Sequence, residues 1–140
     1  MAVQVSFYSD AADPLHYACR LIRRALASGK PVGVCVAGPE AERLDALLWS
    51  FEAAEFIPHR RWDGAVPPAP GEVLLVDDAA RLPHRGLLLN LGDGLPGDAL
   101  AFERVLEVIG QAPERVQAGR VRYRAYQQSG AQLDHFSAAG

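Results

Sequence analysis

The sequence predicts an α/β fold, a mostly parallel sheet with helices on both faces. Two observations lead there. Short continuous apolar runs, residues 32–37 and Val73–Val76 among them, read as strands covered on both sides, the environment of a parallel sheet. Between such runs lie segments whose apolar residues recur at helical spacing, so strands and helices alternate and each crossover packs back on a face. At 140 residues the chain fits one domain, residues 1–140, with its own core, and no internal repeat or linker divides it.

Taken in order, Val3, Val5 and Phe7 alternate with Gln4, Ser6 and Tyr8, which predicts a half-buried strand. Asp13-Pro14 offers an N-cap and a proline at the first helical position. Leu15, Cys19, Ile22 and Leu26 continue at helical spacing until Gly29 stops the helix. Arg20, Arg23 and Arg24 ride on its outer side, either as a solvated face or as one that contacts anions. Residues 32–37 form the next strand, and Gly38-Pro39 opens a helix with Glu40 and Glu42 in its first turn, where the dipole favours them. Three prolines in residues 64–71 mark a loop. Val73–Val76 and residues 86–91 are further strands, and 92–98 is a turn-rich connector. Phe102, Val105, Leu106 and Ile109 predict a helix, and Pro113-Glu114 starts a last one that runs to about Gln128. The stretch 131–140 is small and polar apart from Leu133 and Phe136, and is expected to fray.

Composition narrows the function classes. The chain is 49% apolar and 22% charged with a formal net charge of −3, so it is no general polyanion binder, and any nucleic-acid role is local or indirect. Cys19 and Cys35 sit in apolar segments and are expected to be buried, reduced thiols. The first residues lack a basic region followed by an apolar run, and no run is long enough for a membrane span, which points to the cytosol. The α/β pattern invites a nucleotide, but the cradle is missing. Ser9-Asp10-Ala11-Ala12-Asp13-Pro14 follows the first strand without a glycine and with two acids that repel phosphate. Asp77 and Asp78 at a strand end are the one pair that could hold magnesium, and they define the rival reading, a nucleotide- or magnesium-dependent enzyme. His16, His59, His84 and His135 form no metal-ligand spacing, and no Ser or Cys stands on a strand-to-helix nucleophile turn.

Two stretches instead look like binding surfaces. With about 100° per residue, Leu47, Leu48 and Phe51 fall within roughly 60° of Leu44, an ordinary core stripe. Trp49 falls about 140° away, and Phe56 follows just beyond the periodic run. Either a loop buries both aromatics or they face a partner. On the last helix, Arg120 and Arg124 are i,i+4 neighbours with Tyr123 beside them, and Arg115 lies one turn earlier. Arg122 points about 200° from Arg120, and Val121 and Ala125 fall at core-facing positions. Two guanidinium forks flanking a ring suit a carboxylate-bearing peptide or a phosphate, unless the helix is simply solvated.

The chain resembles the chi-subunit family of bacterial DNA polymerase III holoenzyme. The residues that carry the likeness are Val5-Ser6-Phe7-Tyr8, Leu44-Asp45-x-x-Leu48-Trp49, Phe56-Ile57-Pro58-His59 and Arg120-x-Arg122-Tyr123-Arg124-Ala125-Tyr126. The resemblance implies a Rossmann-like topology without a phosphate loop, no cofactor, no metal and no catalytic residue. It implies an accessory subunit whose polymerase activity belongs to the assembled complex. It also implies two partners: the psi subunit, which joins it to the clamp loader, and the acidic C-terminal tail of single-stranded DNA-binding protein. The resemblance further implies an XPD-like helicase as a second user of the psi-facing surface, and DNA met mainly indirectly, in the bacterial replisome. Carried over by motif, Trp49 and Phe56 face psi, while Arg120, Tyr123 and Arg124 face the tail, with Arg115 on its outer part. One departure is Val116, which stands where better-known members carry a lysine.

Overall fold

The computed structural model of the protein describes residues 2–50 and 56–139. Phe51, placed above on the core stripe, lies outside the described residues. Seven strands form one sheet in the order β3-β4-β2-β5-β6-β1-β7, with every neighbouring pair parallel. They are β1 (Gln4–Ala11), β2 (Val32–Cys35), β3 (His59–Arg61), β4 (Val73–Val76), β5 (Leu87–Asn90), β6 (Arg104–Gly110) and β7 (Gln132–Ser137). Among the described residues three α-helices lie in the connections β1–β2, β2–β3 and β6–β7: α1 (Pro14–Leu26), α2 (Gly38–Ser50) and α3 (Pro113–Gln128).

Side-chain alternation along the strands builds two cores. Val32, Val34, Val73, Leu75, Leu87, Leu89, Leu106 and Val108 point to one face, where Leu15, Cys19 and Ile22 of α1 and Leu44 and Leu48 of α2 cover them. Val5, Phe7, Leu74, Leu88, Val105 and Ile109 point to the other face, covered by Tyr126 of α3 and by Ala79, Leu82 and Phe102 in the turns between strands. The helices divide between faces because the chain steps one way across the sheet through α1 and α2 and returns the other way through α3. The ends of α1 follow the sequence. Asp13 caps it by accepting the His16 amide, and Gly29 leaves it at φ 79°.

Three expectations are corrected. Residues 104–110 are the strand β6, not a helix. Val105, Leu106, Val108 and Ile109 form a buried run broken by Glu107, and the break mimics helical spacing while every position is covered. Strand β1 is buried on both faces, not half-buried, because Tyr8 and Ala11 pack into the core under α1 while Val5 and Phe7 pack into the core under α3. Ser6 is enclosed there and accepts a hydrogen bond from Arg104 Nη2 at 2.8 Å. Gln132–Ser137, expected to fray, pair in register along β1, fixed at the ends by Gln132 N donating to Val3 O and Ala138 N donating to Ser9 O. Its weak apolar signal is that of an edge strand, which buries little. Short β3 was also missed, at the opposite edge.

Glu107 is a carboxylate on the α3 side of the sheet with no exposed surface. Arg122 of α3, 4% exposed, donates to Glu107 Oε1 through Nε at 3.0 Å and lies with Nη2 3.0 Å from the same oxygen. Tyr126 donates its hydroxyl to Oε2 at 2.9 Å, and Asn90 Nδ2 lies 3.0 Å from both carboxylate oxygens. Arg122 Nη1 also donates to Asp93 O at 2.7 Å. Burial pushes the Glu107 carboxyl above its ordinary range, while the Arg122 cation and the hydrogen bonds from Asn90, Arg122 and Tyr126 oppose that shift. The core-facing positions of α3 are therefore Gly119, Arg122 and Tyr126, not Val121, which is 52% exposed.

Removing Arg122 alone strands a buried carboxylate. Arg122→Ala should lower the unfolding free energy in urea by about 3–5 kcal/mol, with Glu107→Gln/Arg122→Met recovering most of the loss. A loss no larger than the roughly 1 kcal/mol of an exposed ion pair would contradict the arrangement.

Candidate functional site

The first surface grows out of the end of α2. Leu44 and Leu48 bury in the core, Ile57 joins them from the next segment, and Trp49 is turned outward by its place on the helix. Asp45, one residue from the core stripe, reaches His59: Oδ1 lies 3.1 Å from His59 Nε2. The other ring nitrogen, Nδ1, sits 2.7 Å from Ile57 O, and the imidazole is buried. This clasp ties the start of β3 to the helix and gives Trp49 a floor, with ring centroids 4.7 Å apart. Phe56 packs on the other side of Trp49 at 5.5 Å. Trp49 is 60% exposed and Phe56 67%. Two large rings, buttressed from below and open to solvent above, make an apolar patch of the kind partner proteins cover. The loop at 64–71 does not fold over them, so the burying alternative is not what this chain does.

The second surface lies on the other face of the sheet, at the opposite edge. A pocket of about 280 Å³ opens between α3 and strands β1, β6 and β7. Phe7, Ile109 and Val116 make it apolar, Tyr123 packs edge-on against Phe7 with centroids 5.1 Å apart, and Arg120 stands at its exposed rim. Gly119 lets the helix approach the sheet, since a Cβ there would come 2.4 Å from Ile109 Cδ1. Across from Arg120, the pocket is closed by Ser9 and His135, whose Oγ and Nε2 lie 2.6 Å apart. Arg124 lies one turn beyond Arg120, exposed, and does not line the pocket. Neither Arg120 nor Arg124 has a hydrogen bond or ion pair among the described residues. A ring-sized apolar hollow with an unpaired guanidinium at its lip can seat an apolar terminal side chain and hold the adjoining carboxylate.

Arg115 is placed elsewhere. It bridges Glu40 of α2 at 2.8 Å and Asp93 at 3.0 Å, contacts that hold its guanidinium above the usual arginine range. It lies beside a crevice of about 30 Å³ at the carboxyl end of the sheet, lined by Pro14, Gly110 and Arg122 among others. In open α/β sheets that crevice is where a nucleotide would sit, and this one has room for little more than a water molecule. Asp78 accepts the Ala80 amide at 3.1 Å and caps the turn Ala79–Arg81, while Asp77 lies 3.5 Å from Arg81. Among the described residues no group of three His, Cys, Asp or Glu could hold a metal ion. Cys19 is buried and Cys35 only partly so, both as free thiols, and burial raises each to about 11. No helix of the described residues is long and apolar enough to cross a membrane.

Sequence reasoning missed Ser9, Gly119 and His135. His135 was hidden by reading the last stretch as frayed; its place two residues after Leu133, on the same face of a strand, was the available sign. Gly119 carries no local signal in a helix, because its role is set by Ile109 across the interface.

Residues 2–134 match the protein family described as DNA polymerase III chi subunit, HolC. The chain is 37% identical over 140 residues to the DNA polymerase III subunit chi of Pseudomonas aeruginosa, covering 94% of this chain and 95% of that protein. It is 30% identical over 118 residues to the subunit chi of Escherichia coli, covering 83% and 80% of the two chains. A third relative, the subunit chi of Haemophilus influenzae, is 28% identical over 109 residues. With the family model matched across nearly all of its length and a relative 37% identical over 94% of it, the chain belongs to the DNA polymerase III chi subunit family.

Proposed function

We propose that the protein is a non-catalytic bridge within the DNA polymerase III holoenzyme. The psi subunit covers Trp49 and Phe56, and the C-terminal tail of single-stranded DNA-binding protein occupies the pocket under Arg120 and Tyr123, with Arg124 as a further cation for acids upstream in the tail. Polymerization then belongs to the assembled complex, and DNA reaches this subunit through the protein that coats it. The observation that carries the reading is the separation of two exposed contact surfaces onto opposite faces and opposite edges of one sheet. One is built on an aromatic pair, the other on a cation beside an apolar hollow. A bridge needs both surfaces open at once, and this layout permits it. Arg115, held by Glu40 and Asp93, would have to leave those acids to reach the tail.

Trp49→Ala and Phe56→Ala should each weaken psi binding by roughly 2 kcal/mol or more, as truncated hot-spot aromatics do. Their melting temperatures should stay near that of the wild type, because the lost surface is already exposed. Titration calorimetry with purified psi, paired with thermal unfolding, measures both. A large drop in melting temperature with psi affinity preserved would make these rings structural.

For the tail, a charge-assisted hydrogen bond is worth roughly 1.5–3 kcal/mol, so Arg120→Ala should weaken binding about tenfold or more. Arg120→Glu should weaken it further, and added salt should reduce the wild-type affinity. Fluorescence anisotropy of a labelled tail peptide reads each change. Equal binding by wild type and Arg120→Glu, or by free and amidated peptide, contradicts the proposed site.

A further inference from the structure

Arg20, Arg23 and Arg24 are left without a role by the two surfaces described. They stand on the exposed side of α1 and, with Leu26 and Ala27 at the end of that helix, line one side of a groove of about 630 Å³ that Phe56 and Ile57 line from the other segment. Phe56 therefore belongs to two places at once: it packs against Trp49 and forms the lip of the basic groove. Arg20 is partly ordered by its own helix, with its guanidinium carbon 5.5 Å from the centre of the Tyr17 ring. Arg24 has no hydrogen bond or ion pair among the described residues. On a chain of net charge −3, this is a local concentration of cations.

We infer that the groove is the electrostatic half of the interface at Trp49, and that it takes an acidic segment of the partner protein, with carboxylates lying close to the apolar residues that cover Trp49 and Phe56. The inference rests on the reading of Trp49 and Phe56 as a partner surface, and extends it from apolar contact to charge pairing. Guanidinium groups on a fixed helix match carboxylates in geometry as well as charge. A protein segment fits better than a nucleic acid for two reasons. The wall facing the arginines is apolar, which suits the side chains of a peptide or helix. The aromatic pair beside it is tilted by 41° and Trp49 is backed by His59, so the rings do not present successive open faces for stacked bases.

Rim charges of this type set the association rate and the salt dependence of an interface more than its contact area does. The test uses the full chain with Arg20→Glu, Arg24→Glu and the double variant, and Trp49→Ala as the reference. The probes are purified psi, titrated at low and at high salt, and a labelled oligo-dT strand. The double variant should bind psi about tenfold or more weakly at low salt, with the deficit shrinking at high salt as screening removes the attraction. Oligo-dT should not bind measurably. If the double variant binds psi as the wild type does while Trp49→Ala fails, the groove is not part of the interface and the aromatic surface still stands. If Trp49→Ala and the double variant both bind normally, the aromatic reading falls and the groove proposal falls with it. If oligo-dT binds and the double variant loses it with psi binding intact, the groove is a nucleic-acid surface and the inference is overturned.

Discussion

The ion pair between Glu107 and Arg122 is the constraint on which the α3 side of this molecule depends. A carboxylate without solvent exposure needs a cation and a full set of donors, and α3 supplies two of them, Arg122 and Tyr126. Those residues fix the rotation of the helix about its axis. Arg120 then emerges at the rim and Tyr123 lies against Phe7. Gly119 helps set the depth, because a Cβ there would meet Ile109 Cδ1 at 2.4 Å and force that side chain to shift. A buried ion pair adds little net stability over an apolar pair of equal shape. Here it specifies one rotational setting for a helix whose outer face carries the functional groups.

A smaller clasp does the corresponding task on the other face. The Leu44-Asp45-x-x-Leu48-Trp49 and Phe56-Ile57-Pro58-His59 segments read as two halves of one device. Leu44, Leu48 and Ile57 anchor it in the core, Asp45 and His59 lock the two halves together, and Trp49 and Phe56 are what the lock presents. Exposing two large rings costs solubility and gains no folding energy, which is why their outward setting points to contact with another protein. Arg115 contributes in a third way. By pairing with Glu40 and Asp93 across the carboxyl end of the sheet, it occupies the place where a related architecture would admit phosphate.

Much of this was legible in the sequence. The fold class followed from buried apolar runs, and the outward turn of Trp49 followed from counting 100° per residue. What stayed hidden depended on partners distant in sequence. Glu107 broke an apolar run and disguised a strand as a helix, because nothing local announces that a glutamate will be neutralised by an arginine on α3. Val121 was placed inward by assuming an apolar core stripe, whereas the helix is oriented by charge. Strand β7 borrows its order from β1 and so carries little signal of its own, and with it went Ser9 and His135 as pocket residues. The pairing of Arg115 with α2 is likewise a tertiary fact that helical spacing cannot reveal.

The central claim is that one rigid sheet carries two contact surfaces that work independently. Its most direct test is the affinity for a labelled tail peptide, measured with and without saturating psi. The account predicts a change of less than about twofold, below the roughly fivefold or greater shift of coupled sites, and formation of a ternary complex. Displacement of the peptide by psi, or loss of tail affinity in its presence, would contradict it.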